Sequence, residues 1–443
     1  MKQRLLSAGK TLAVGAKSTF NKRNFEKLQK NSKASFSFSI KILNHLLTRL
    51  CAFISWLFSP SNLKKHSLIW FVFLLSFLFF KKLNNYKLAH ERTDDLSAYY
   101  YGITYDPVAD VRGGDTSSTS ERENAALVAL VRNSELKDMQ ASMIQLENRW
   151  NHKYNYPYVF FNDEPFSDEF RRGVQSITKS NITFVTLTHE YWSLPEDIDL
   201  VRFMVNLQKN RRRYIYGGKL SYRLMCRFES MLFYKHPALA SYKYYWRIEP
   251  DVDYYCNINY DPFRYMRTNG LVYGFTIAFS EIKSTIETLW ETTKQWIEQN
   301  PQYIPEENAA DWILDDDGNY NLCHFWSNFE IVDMDFYRSQ AYESYVKHLD
   351  DAGGYFYERW GDAPIHSIAA SILLPKSKIF WFEDIGYRHS NTYVCPSNFE
   401  MSYNCFCKKA HSYHRSSCHR KWSDAKGLSR SQFFEKISIP ENN

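Results

Sequence analysis

The strongest constraint on how this chain folds is an alternation that begins near residue 125. Residues 125–131 form a continuous apolar run of strand length, with Arg132-Asn133 at its end. Leu136, Met139, Met143, Leu146 and Trp150 then recur at steps of three and four, which predicts one face of an amphipathic helix with Ser134 as its N-cap. Residues 158–161 read as a second strand ending in Asn162-Asp163. Phe170, Val174 and Ile177 mark a second helix face, and residues 182–187 a third strand. Apolar strands joined by helices give a parallel sheet with helical crossovers. Ligands of such sheets gather at the strand C-termini, which makes Arg132 a candidate binding residue. Further on, the pattern predicts a helix over 221–234 and a strand from Tyr242 into a sharp turn at Pro250. It also predicts a strand over 271–279, helices over 282–297 and 363–374, and a strand over 379–382. There is no internal repeat.

The charge is distributed unevenly. The chain has a net charge of +6, but residues 1–66 hold 13 of its 55 Lys and Arg and only one of its 49 acids, Glu26. The rest is therefore mildly acidic, which argues against a nucleic-acid-binding body. Directly after the basic tail comes an apolar run, Leu68 to Phe80, closed by Lys81-Lys82. Residues 67–82 are read as a single signal-anchor span, short of the usual ~20 residues but lengthened by snorkelling lysines. The positive flank precedes it, so the tail (1–66) is placed in the cytoplasm and the remainder in a lumen. A buried core helix and a mitochondrial presequence are the other readings of this N-terminal region. Residues 83–123 have linker composition, and residues 124–443 form the expected catalytic domain.

Seven of eight cysteines follow the apolar run, four of them between Cys395 and Cys418. In a lumen this reads as disulfides with one thiol left over; a zinc site with His411, His414 and His419 is the alternative. Asn181-Ile182-Thr183 is a glycosylation sequon on the lumenal side. Aromatic residues make up 17% of the chain, which suits stacking on the apolar faces of sugars.

Four segments carry candidate chemistry. Trp246-Arg247-Ile248-Glu249-Pro250-Asp251 delivers two carboxylates, Glu249 and Asp251, at a strand end, where oxygen ligands suit a hard divalent cation. Arg247 adds a cation that would help neutralise a diphosphate leaving group. Glu330 is a lone acid in an aromatic setting, costly to bury without a partner or a purpose. Asp362, before Ala363-Pro364, has the placing of a helix N-cap. His389 follows a strand and is read as a loop residue.

Together these segments resemble the fungal alpha-1,2-mannosyltransferase (glycolipid 2-alpha-mannosyltransferase) family. The resemblance runs from Val131-Arg-Asn-Ser-Glu-Leu136 to about Cys395. It takes in Tyr222-Arg-Leu-Met-Cys-Arg-Phe228, Tyr244-Tyr-Trp-Arg-Ile-Glu-Pro250, Ser327-Asn-Phe-Glu-Ile331, Tyr357-Glu-Arg-Trp-Gly-Asp-Ala-Pro364 and Asp384-Ile-Gly-Tyr387. It implies an α/β, GT-A-like fold with a mixed, mainly parallel sheet behind a single N-terminal transmembrane helix. It implies a type II Golgi membrane enzyme that transfers mannose with retention from GDP-mannose to mannosylated N- or O-linked glycoproteins, using manganese. By the same likeness, Glu249 and His389 are the metal ligands and Glu330 stands at the nucleophile position. Tyr222, Arg247 and Asp362 line the donor and acceptor pocket, and a complex with other mannosyltransferases is an expected partner. The long basic tail and the Cys/His-rich segment 395–422 depart from the family pattern and leave the acceptor open. A weakly catalytic relative acting as a scaffold subunit, or a lumenal mannoside-binding protein, is the competing reading.

Overall fold

A computed structural model describes residues 122–396, 402–407 and 417–440. The tail, the expected span 67–82 and nearly all of the stem lie outside the described residues, as do His411 and His414. Among the described residues no helix is long and apolar enough to cross a membrane.

The predicted alternation forms. Strand β1 (Ala125–Leu130), helix α1 (Leu136–Leu146), strand β2 (Tyr158–Asn162), helix α2 (Asp168–Gln175) and strand β3 (Ile182–Thr186) follow in order. Helices α3 (Leu200–Asn210) and α4 (Leu220–Arg227) lead to β4 (Tyr244–Arg247) and β5 (Val252–Tyr254). Next come α5 (Pro262–Thr268), β6 (Tyr273–Phe275), β7 (Ala278–Ser280), α6 (Leu289–Gln299), β8 (Glu307–Asn308), β9 (Cys323–Phe325) and β10 (Glu330–Asp333). The chain continues through α7 (Gln340–Ala352), α8 (Asp362–Leu373), β11 (Ile379–Trp381), β12 (Tyr387–His389) and β13 (Thr392–Val394), and ends in α9 (Ser417–Asp424), β14 (Leu428–Ser429) and α10 (Arg430–Lys436).

The main sheet has seven strands in the order β11-β6-β10-β4-β1-β2-β3. β3, β2, β1 and β4 are mutually parallel, β10 is antiparallel to both β4 and β6, and β11 is parallel to β6. The sheet is thus mixed and mainly parallel. Because β10 runs the other way, its first residue, Glu330, lies at the edge where the parallel strands end, opposite Phe275 and one step from the Ile331–Trp246 pair.

Side chains alternate across the sheet with period two. Ala126, Val128, Val159, Phe161, Tyr245, Tyr273 and Val332 enter one buried layer, while Leu127, Ala129, Tyr158, Phe160, Trp246 and Ile331 enter the other. The first layer packs under α6, α7 and α8, the second under α1, α2 and α5. Both faces are covered, which is why the central strands read as unbroken apolar runs.

Several boundaries differ from expectation. A 3₁₀ turn, Asn133–Glu135, precedes α1, so Ser134 lies within the turn instead of capping the helix. The predicted strand 271–279 is two strands. β6 stays in the main sheet, whereas β7 pairs with β9, and the Thr276 carbonyl between them accepts the Trp381 indole N–H. The predicted helix 282–297 starts as a 3₁₀ turn, and its α-helical part is Leu289–Gln299. The predicted helix 221–234 loosens into a π turn, Phe228–Leu232.

The C-terminal segment is stapled on by Cys256–Cys405, Cys323–Cys418 and Cys395–Cys407, leaving Cys226 as a buried free thiol. Six of the cysteines available to a zinc site are therefore consumed. His419 is consumed too: its Nε2 accepts from the Ala278 amide at 3.0 Å while its ring stacks on Trp381. Disulfides, not zinc, are what the cysteine spacing reports. The Cys323–Cys418 bridge closes a chain separation of 95 residues and ties α9 to β9. Replacing both cysteines with serine should cost about 2–5 kcal/mol of stability. The check is the urea midpoint of oxidised protein, and an unchanged midpoint would contradict the stapling role.

Candidate functional site

The site begins at the end of β4. Arg247 is the last residue of that strand, and only 7% of its side chain is exposed. Its Nη2 lies 2.6 Å from Glu249 Oε1, and its Nε donates to the same oxygen at 2.8 Å. On the other side Nη1 donates to Asp362 Oδ2 at 2.6 Å and stands 3.8 Å from Glu229. A buried charge needs such partners, since an uncompensated one is expensive. Asp362 therefore does not cap α8. Gly361 holds the N-cap position, and the Asp362 carboxylate turns inward to Arg247 and to the Ser327 hydroxyl at 2.6 Å. Burial alone would raise the Asp362 carboxyl, but Arg247, His366 and the Ser327 hydrogen bond together carry it below its ordinary value. Glu229 behaves oppositely. Burial raises it to about 8, against the pull of Arg247 and with Asp362, Glu249 and Glu330 adding to the rise.

Glu330 has none of its surface exposed. The Tyr245 hydroxyl donates to one oxygen. The other receives Tyr273 at 2.7 Å and Tyr337 at 3.4 Å and lies 3.0 Å from His366 Nδ1. Burial opposes charge on His366, but the adjacent Glu330, with Asp362 behind it, lifts its pKa above the ordinary value. Both Glu330 oxygens are thus taken by protein donors and sealed from solvent. Asp362 and His366 reach this cluster together because they stand one helical turn apart on α8.

The expected carboxylate pair does not close on one point. Glu249 turns to Arg247. Asp251, with φ +56°, is half-exposed and takes Arg388 at 3.3 Å. His389 is not on a loop: it ends β12 and pairs with Val252, the first residue of β5. That ladder carries the imidazole back toward the turn after β4. Burial lowers its pKa, against the opposing influence of Glu249 and Asp251. The Trp326 ring meets it edge-on at 4.9 Å, and Asn328 Nδ2 lies 3.1 Å from its Nδ1.

Among the described residues no group of three or more His, Cys, Asp or Glu is placed to hold a metal ion. A pair is enough where a nucleotide supplies the rest, since octahedral divalent ions commonly take one or two protein ligands plus phosphate oxygens and water. A carboxylate with a neutral imidazole suits manganese. Two buried polar atoms in this neighbourhood, Asn328 Oδ1 and the Tyr254 hydroxyl, have no hydrogen-bond partner. That is a condition a bound polar group relieves. The residues present therefore fit such an ion.

Tyr222, on α4, stacks on Tyr216 at 4.6 Å beneath the Arg359 guanidinium at 5.0 Å. Burial raises its phenol well above the ordinary value, with Asp362 and Glu281 among the neighbouring charges. It belongs to the cluster's surroundings. Arg132 does not: its guanidinium is exposed and pairs with Glu135 at 4.0 Å. Asn181 is exposed beside the edge strand β3, where a sequon asparagine is accessible. Sequence reasoning assigned no role to Glu229, Ser327, Asn328 or His366, nor to Tyr245, Tyr273 and Tyr337. Ser327 and Asn328 sit inside a quoted motif, and inward-facing tyrosine hydroxyls on two strands signal a buried acceptor between them.

A mixed α/β sheet with a carboxylate, an imidazole and a buried arginine at its strand ends has the parts that transfer from a nucleotide sugar uses. Residues 82–427 match the glycolipid 2-alpha-mannosyltransferase family, so the chain belongs to that family and is a mannosyltransferase. It is 47% identical over 323 residues to glycolipid 2-alpha-mannosyltransferase 2 of Candida albicans, covering 71% of this chain and 70% of the relative. It is 46% identical over 321 residues to the glycolipid 2-alpha-mannosyltransferase of Saccharomyces cerevisiae, covering 71% and 73%. The crystal structure of core-mannan synthase A from Aspergillus fumigatus, in a Mn/GDP form, superposes with a TM-score of 0.64 at 41% identity, covering 76% of this chain and 93% of that one. The mannosyltransferase Ktr4p of S. cerevisiae in complex with GDP gives 0.64 at 38% identity, covering 72% and 83%.

The raised Glu229 carboxyl gives a pH prediction. Its folded pKa of about 8 exceeds the unfolded value, so the folded state binds more protons between roughly pH 4.5 and 8, and stability falls as pH rises through that window. Glu229→Gln, which mimics the protonated acid, should melt close to wild type at pH 5 and above it at pH 9. Thermal melts of metal-free protein decide this, and a variant less stable than wild type at pH 9 would contradict it.

Proposed function

We propose that the protein is a retaining alpha-1,2-mannosyltransferase of the Golgi membrane that moves mannose from GDP-mannose to mannose-bearing N- or O-linked glycans, with manganese held by Glu249 and His389. The observation carrying this reading is the convergence of Glu249, Arg247 and His389 at the strand ends. Support comes from the relatives' mannosyltransferase names and from the manganese and GDP in the Aspergillus structure. The lumenal orientation, the single span over 67–82 and a glycan on Asn181 rest on sequence and on the exposure of Asn181. Three disulfides agree with an oxidising compartment.

When bound, a divalent ion neutralises charge developing on the diphosphate leaving group. The chain's own residues do the rest. Arg247 holds Glu249 in place from behind and contributes a second positive charge, itself kept from closing on the site by Asp362. Asp362 borders Arg247 directly, and Tyr222 packs close by beneath Arg359. Glu330 acts from inside as the common acceptor for three tyrosines and His366, fixing the wall on which Arg247 rests; it is a positioning residue. Covalent attack by Glu330 would require its hydrogen-bonded shell to open.

The test is transfer by the full-length protein in detergent, from GDP-mannose to methyl α-mannoside with Mn2+, with the linkage of the product determined. Formation of an α-1,2-linked dimannoside is expected. Metal-independent mannoside binding without transfer would instead support a scaffold or lectin role. In the same assay Glu330→Gln should lower kcat by roughly 10–100-fold, a positioning loss, whereas removal of a covalent nucleophile would cost on the order of 10⁴-fold or more. Near-normal transfer would remove Glu330 from the mechanism altogether.

A further inference from the structure

The segment joining β9 to β10, Trp326 to Phe329, is closed by a hydrogen bond from the Phe329 amide to the Trp326 carbonyl at 3.2 Å. It brings three successive side chains to the site: Trp326 against the His389 ring, Ser327 to Asp362, and Asn328 to His389 Nδ1. Strand β12 grips Asn328 twice. The Tyr387 hydroxyl donates to its backbone carbonyl at 3.0 Å, and His389, two residues on, meets its side-chain amide. Asn328 is 6% exposed, and its Oδ1 is buried with no partner while Nδ2 faces the imidazole.

A neutral imidazole has one N–H and one lone pair, and only the lone pair binds a cation. Asn328 occupies the Nδ1 side, so the atom left for a metal is Nε2. With Nδ2 toward the ring, Nδ1 must be the acceptor, Nε2 carries the proton, and the amide oxygen stays orphaned. Turned by 180° within the same volume, the amide offers Oδ1 to Nδ1–H and frees the Nε2 lone pair. The turned amide leaves both of its N–H groups without a side-chain acceptor at that position. The two orientations fill the same volume, and the turned one is already formed before any ion arrives: it presents the Nε2 lone pair and aims no carbonyl oxygen at an incoming anionic ligand.

We propose that Asn328 is the positioning residue that sets the His389 tautomer, its Oδ1 accepting the Nδ1–H so that Nε2 faces the divalent cation. The inference rests on the reading of His389 as a metal ligand. Ligand histidines generally owe their orientation to such an outer acceptor. Here it lies in the Ser-Asn-Phe-Glu segment, whose buried glutamate follows two residues later as the first residue of β10.

The experiment has two readouts on the full chain, neither of them turnover. The first is the ¹⁵N NMR tautomer of His389 in metal-free protein, assigned by difference from His389→Gln. The second is Mn2+ affinity by EPR titration. Wild type should show the Nδ1–H form. Asn328→Ala should bind Mn2+ about 10–100-fold more weakly, and Asn328→Asp, which keeps an acceptor, should stay within about threefold of wild type. An Nε2–H tautomer in wild type overturns the proposal whatever the variants do. So does unchanged Mn2+ affinity in Asn328→Ala, or a loss in Asn328→Asp as large as in the alanine variant. If His389→Gln leaves Mn2+ affinity unchanged, the metal reading fails and takes this inference with it. If His389→Gln weakens binding and Asn328→Ala does not, only the role of Asn328 falls.

Discussion

A guanidinium that is almost wholly out of water has to be matched by carboxylates at hydrogen-bond distance. Arg247 meets that requirement with Glu249 and Asp362, each at 2.6 Å, and with Glu229 farther off. These partners come from different parts of the chain: the π turn after α4, the turn after β4 and the first turn of α8. Bringing them to one point requires β4 at the centre of the sheet and α8 packed over its face. The same packing places His366, one turn after Asp362, against Glu330. The arginine and the fold thus depend on each other, because breaking a buried pair leaves an uncompensated charge behind.

The network also divides labour. Glu249 retains some exposure and faces the ligand side, with His389 brought close by the β5–β12 ladder. Glu330 lies on the interior side, its oxygens filled by tyrosines and His366. Buried polar groups that are fully satisfied rigidify the core around them, whereas an unsatisfied one calls for a partner such as a water or an ion. By that criterion the proposed metal side, with Glu249 and His389, is also the side where Asn328 Oδ1 and the Tyr254 hydroxyl lack partners.

Much of this was legible in the sequence. Residues 125–187 announced β1, β2 and β3 because strands buried on both faces read as apolar runs, and the helices between them bury a single stripe. The Glu249–His389 pairing came from the family resemblance; their separation of 140 positions carries no local signal. Asp362 was misread as a cap because Asp before Ala-Pro is locally sufficient for one, and nothing nearby reveals an arginine 115 residues away. His389 was placed on a loop because a three-residue strand, Tyr-Arg-His, is too short to show a period. Glu330 was rightly suspected of having a buried partner, but its partners sit on β4, β6 and two helices that only the folded chain brings together.

The central claim is that Glu249 couples a divalent cation to the nucleotide. Its most direct test is the dissociation constant of GDP for the full-length protein, with and without Mn2+, in wild type and in Glu249→Ala. Coupling energies between linked ligands run from about 5- to 150-fold. Mn2+ should therefore tighten GDP binding by roughly tenfold or more in wild type, and that gain should vanish in the variant. A manganese effect of equal size in Glu249→Ala would contradict the account.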